Sequence, residues 1–66
     1  MKDSIWKRTL EEADCYLAVK DASIAEVARR FGVSTTTARR DLMVNLPRIN
    51  PQLHAEVKEQ IAVRNA

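Results

Sequence analysis

Thr36, Arg39, Arg40 and Met43 follow one another at i, i+3, i+4 and i+7, the spacing that puts four side chains on one side of a helix. Two guanidiniums, a hydroxyl and an adaptable thioether form a surface for reading rather than for catalysis. Arginine forks onto guanine or phosphate, and threonine donates, accepts or touches a thymine methyl. Ser34, Thr35 and Thr37, just upstream, add hydroxyls where the helix must begin. No acid–base pair, activated nucleophile or phosphate loop accompanies them, which excludes the common enzyme classes. His54 stands alone and Cys15 is the single cysteine, so no metal cage or internal disulfide is expected, and no cofactor.

Charge follows the same segment. Residues 1–28 carry four basic and six acidic side chains, and residues 49–66 balance at two and two. Residues 29–48 carry Arg29, Arg30, Arg39, Arg40 and Arg48 against Asp41 alone. The concentrated positive charge is the electrostatic footprint expected of a phosphate-binding surface.

The elements that must hold these side chains are legible from Glu26 to Thr37. Ser23 is placed as an N-cap with Glu26 three residues on, a capping box. Ile24, Val27, Ala28 and Phe31 make an apolar face over eight residues, and the small Ala28 allows a close helix crossing. Gly32 suits the left-handed residue that ends a helix, Val33 is expected to plug the corner, and Ser34 caps the next helix. A helix, a short glycine turn and a second helix form the unit that lays its second helix in the DNA major groove.

Four helices are expected, at about 4–19, 24–31, 35–46 and 51–63, in one all-α domain spanning 1–66: three helices containing a helix-turn-helix, plus a C-terminal fourth. In the first, Ile5, Trp6, Leu10, Ala13, Tyr16 and Leu17 form the predicted core stripe, with Trp6 as an anchor and Cys15 at the boundary. Lys7, Arg8, Glu11, Glu12 and Asp14 mostly take the solvent side. Ala38, Leu42 and Leu46 face inward from the third. Pro47 is expected to stop it, Leu46 to Pro51 to form a rigid connection, and Asn50 to cap a fourth helix with Leu53, Val57 and Ile61 inward. A chain of 66 residues buries only about 60% of its unfolded surface, so the core is one small cluster. There is no signal-like apolar start and no long apolar run, so a cytoplasmic, nucleoid-associated protein without membrane contact or small-molecule ligand is expected.

Several stretches together resemble the stage III sporulation protein D family of small helix-turn-helix regulators. They are Lys-Arg-Thr-Leu at 7–10, Arg-Phe-Gly-Val-Ser at 30–34, Asp41-Leu42, Leu-Pro-Arg-Ile-Asn-Pro-Gln-Leu at 46–53 and Glu-Val-Lys-Glu at 56–59. The 46–53 stretch is the most specific, and the resemblance covers nearly the whole chain. It implies a sequence-specific regulator of sporulation transcription whose third helix enters the major groove of double-stranded DNA. By position, Ser34, Thr35, Thr36, Arg39, Arg40 and Met43 would face bases, and Thr37 would hold phosphate. On chemical grounds Ser23, Arg29, Arg30 and Arg48 join the phosphate set. Members of the family continue into a basic C-terminal segment, whereas this chain ends at Ala66 with only Lys58 and Arg64 basic nearby. The resemblance favours a monomer over a dimer on half-sites. The rival reading is a helical interaction module whose basic face docks an acidic partner such as RNA polymerase.

Overall fold

A computed structural model describes residues 3–64, and every regular element among them is helical. In chain order these are α1 (Asp3–Ala18), α2 (Ile24–Phe31), α3 (Thr35–Arg40), a π-helical turn (Asp41–Asn45), α4 (Leu46–Ile49) and α5 (Pro51–Arg64). The core joins Ala13 and Tyr16 of α1, Val27 of α2, Leu42 of the π turn, Leu46 of α4 and Val57 of α5. Ile24, Phe31, Leu53 and Ile61 pack around it. The inward faces expected of the second and fourth predicted helices are therefore the faces found, as are Ala38, Leu42 and Leu46.

The first helix is rolled relative to expectation. Its buried positions are Thr9, Glu12, Ala13 and Tyr16, an i, i+3, i+4, i+7 set displaced toward polar residues. Trp6 is 46% exposed and is no core anchor. Glu12, assigned to the solvent side, is fully buried. Cys15 is half-buried against the core, the boundary position expected of it. The roll follows from two long-range ties: Arg8 grips Asp41 in the π turn, and Arg64 of α5 lies over the Tyr16 ring, 4.2 Å from its centroid. Arg64 also donates to the carbonyls of Ala22 at 2.8 Å and Tyr16 at 3.0 Å. These groups lie at the end of α1 and in the loop beyond it, where a helix leaves carbonyls without internal partners.

Pro47 does not stop the third helix. Helical backbone continues through it to Ile49, and the chain leaves helical geometry only at Asn50, with φ −151° and ψ 90°. The π turn explains how. A proline ring clashes with the carbonyl four residues earlier and has no N–H to give. Widening the turn just ahead of it moves that carbonyl aside, and the Leu46 N–H reaches the Asp41 carbonyl five residues back. The expected rigid connection at Leu46–Pro51 is thus one more helical turn and a single extended residue. That residue caps α5 as expected, with the Leu53 N–H donating to Asn50 Oδ1 at 3.0 Å.

Candidate nucleic-acid interface

The turn between α2 and α3 is built locally. Gly32 has φ +67°, the left-handed region that costs glycine nothing. Its N–H reaches the Arg29 carbonyl at 3.3 Å and the Val33 N–H reaches the Ala28 carbonyl at 3.0 Å, the pair of bonds that closes a Schellman end. Val33 is half-buried and lies outside the core cluster, so it covers the corner without plugging it. Ser34 Oγ accepts the Thr37 N–H at 3.0 Å and donates to Thr37 Oγ1 at 2.9 Å. At the head of α2, Ser23 Oγ accepts the Glu26 N–H at 3.1 Å. The Glu26 carboxylate lies 3.5 Å from Arg29 Nη1, so the first half of the expected capping box forms and its carboxylate also faces a neighbour down the helix.

α3 turns Ala38 inward and leaves Thr35, Thr36, Arg39 and Arg40 exposed. Among the described residues no carboxylate lies within ion-pair distance of Arg30, Arg39, Arg40 or Arg48. Unpaired, exposed guanidiniums keep their full field for an anionic partner. Arg29 and Arg30 occupy the last turn of α2, where they also complement its negative end. Arg48 is exposed on α4, beyond the π turn. Met43 differs from the rest of its set: it lies in the π turn, half-buried against the core, because the widened turn alters the regular spacing after Arg40. Thr37 is half-buried with its hydroxyl engaged by Ser34.

An open cleft of roughly 580 Å³ runs between the head of α2, the head of α3 and α5. Ser23, Thr35 and Arg39 line it, which brings together three residues selected separately from the sequence. Lys20, Asp21 and Arg64 line it as well. Neither Lys20 nor Arg64 is in the predicted site, because one sits in a connection and the other lies 27 residues past Thr37. The packing of α5 brings Arg64 beside the heads of α2 and α3, and the α1–α2 connection brings Lys20.

Behind α3 lies a buried polar network. Arg8 Nε and Nη2 donate to the two Asp41 carboxylate oxygens at 3.0 and 3.3 Å, and Asn45 Nδ2 donates to Asp41 Oδ1 at 2.8 Å. Burial works against the Asp41 charge, but hydrogen bonds from Glu12, Arg8 and Asn45 outweigh it and hold the carboxyl below its usual range. Glu12 takes the opposite course. Burial first, then the facing Asp41 carboxylate, push it up to about 8. Arg8 Nε is 3.9 Å from Glu12 Oε1 and is already committed to Asp41. A proton on Glu12 would remove the second negative charge facing Arg8 and give the carboxyl a hydrogen to offer Asp41. Arg8 and Asp41 both belong to the stretches that carry the family resemblance, so part of that signature is this network and not DNA-facing surface.

Fold and surface define a class: a small all-α protein that presents one short, unpaired, arginine-bearing helix behind a glycine turn. The chain belongs to the Stage III sporulation protein D family, whose model matches residues 2–66. It is 41% identical over 59 residues to Stage III sporulation protein D of Bacillus subtilis (strain 168), which covers 89% of this chain and 62% of that relative. The chain thus spans less than two thirds of the length of the curated relative it matches. No solved structure matches it. The family is one of sporulation regulators and not of enzymes. Among the described residues no helix is long and apolar enough to cross a membrane.

Proposed function

We infer that the chain is a sequence-specific, DNA-binding transcriptional regulator of the sporulation type, one domain acting as a monomer in the cytoplasm on the nucleoid. α2, the Gly32 turn and α3 act as a helix-turn-helix, and α3 enters the major groove. The observation that carries this reading is the exposed Thr35, Thr36, Arg39 and Arg40 set, whose arginines have no carboxylate partner among the described residues, on a helix anchored through Ala38 and Leu42. Thr36, Arg39 and Arg40 approach base edges, with Ser34 and Thr35 at the groove entrance. Met43 lends the edge of its half-buried side chain. Ser23 and Thr37 keep a hydroxyl proton for phosphate, and Arg29, Arg30 and Arg48 draw the backbone in at longer range.

Selection of bound duplexes from a random DNA pool, followed by a salt titration of the winner, tests this. An asymmetric enriched motif is expected for a monomer. Four to six phosphate contacts would give log affinity a slope of about −4 to −5 against log salt. No enrichment together with a flat salt response would sink the reading.

A further inference from the structure

Two buried carboxyls face one guanidinium behind the reading helix, and nothing in the DNA-contacting surface requires them. Glu12 has no exposed surface, and among the described residues neither carboxyl oxygen has a hydrogen-bond partner. The charged groups that face it are Asp41 from the π turn and Arg8 from its own helix; α2, α4 and α5 bring none. With both carboxyls ionised, the site would hold two buried negative charges against one positive charge, the partly exposed Arg8. An uncompensated buried charge is costly enough that a proton is retained instead.

Asp41 immediately follows Arg40, the last residue of α3, and its N–H closes that helix on the carbonyls of Thr37 and Ala38. Its side chain points inward to Arg8, so Arg40 and Arg39, about 100° and 200° earlier around the helix, are turned away from the core. The grip on Asp41 thus sets the roll of the reading face, and Asn45 spans the wide turn to steady it.

We propose that Glu12, acting with Arg8 through Asp41, is a positioning residue for the reading helix, and that loss of the proton it shares with Asp41 weakens DNA binding as pH rises. The inference rests on the DNA reading above. When the Glu12 carboxyl gives its proton to solvent, its new carboxylate repels Asp41 and competes for Arg8. The two-pronged grip on Asp41 slackens, and Arg39 and Arg40 lose their fixed roll. Binding and protonation then favour one another, as linkage requires.

The test uses the full chain, the Glu12→Gln variant and a labelled duplex from the last round of the random-pool selection, with fluorescence anisotropy at about pH 6.5 and about pH 9 at constant salt. Wild-type affinity is expected to fall about tenfold, since each unit of proton affinity linked to binding is tenfold. Glu12→Gln, neutral at both pH values, should change less than about threefold, which a purely structural role for Glu12 would not produce. Equal pH dependence in the two proteins overturns the proposal. A carbon-13 titration of the wild-type Glu12 carboxyl needs neither the variant nor DNA. A midpoint between about 7 and 9 supports the shared proton, and one in the ordinary carboxylate range refutes it. A duplex bound at no pH overturns the DNA reading and the coupling, and the carboxyl titration still shows whether the proton seat itself was wrong.

Discussion

Glu12→Gln should stabilise the folded chain at neutral pH and remove most of its alkaline loss of stability. The Glu12 carboxyl titrates at 4.5 in the unfolded chain and is pushed up to about 8 in the folded one. The folded state therefore binds more protons between these values, and stability falls as pH rises through the window. At about 1.4 kcal/mol per pH unit, the loss from pH 4.5 to 7 is about 3 kcal/mol, and it levels off above about pH 8. Asp41 has the opposite slope: its lowered value adds stability that is present above 3.8 and lost as pH falls through the folded value. The contributions of these two groups together are greatest at about pH 4–5. Since a chain of this length has roughly 3–10 kcal/mol in total, the Glu12 effect is a large fraction. It corresponds to a melting shift on the order of 10–20 °C. The amide of glutamine fits the same volume, cannot ionise, and can donate to Asp41. Thermal unfolding followed by circular dichroism at about pH 5 and about pH 7.5 should find wild type and Glu12→Gln within about 1 kcal/mol at the lower pH. At the higher pH the variant should lead by about 2–4 kcal/mol. Parallel melting curves across that range would refute the shared proton and the reason given for it.

Three further outcomes follow from the contacts. Gly32→Ala meets no atom within 4 Å but must hold φ near +67°, so it should cost about 1–2 kcal/mol in a denaturant melt; a neutral result would mean the turn relaxes. Arg64→Ala removes two hydrogen bonds to carbonyls and the contact over Tyr16, and urea denaturation should register a loss of about 2–3 kcal/mol, with a loss below about 0.5 kcal/mol inconsistent with that tie. Arg39→Ala and Arg40→Ala should leave the melt unchanged and each weaken duplex binding by about 1–3 kcal/mol wherever the side chain reads a base; unchanged binding in both would remove α3 from the interface.

The unit from Ser23 to Arg40 was readable from the sequence because its information is local. Two caps, one left-handed glycine and a complete apolar face on α2 are contacts between residues no more than seven apart. The same holds for the exposed arginines and for Asn50 at the head of α5. Trp6, Glu12 and Pro47 depart from the sequence expectation for reasons that lie outside local periodicity. Periodicity says that a helix has an apolar face, but when polar residues border the stripe it does not fix the roll. Arg8 meets Asp41 across 33 residues of sequence and Arg64 meets the Tyr16 carbonyl across 48. Those contacts rolled α1 until Glu12 was buried and Trp6 was half in solvent. The π turn admitted Pro47 because widening a helix by one residue relieves the ring clash, a solution invisible to rules that treat proline as a stop. The chain's own order therefore determined which residues face outward on α3 and that the protein belongs to the Stage III sporulation protein D family. Tertiary structure alone decided what stands behind that helix, because a buried carboxyl pair exists only once α1 and the π turn are packed together.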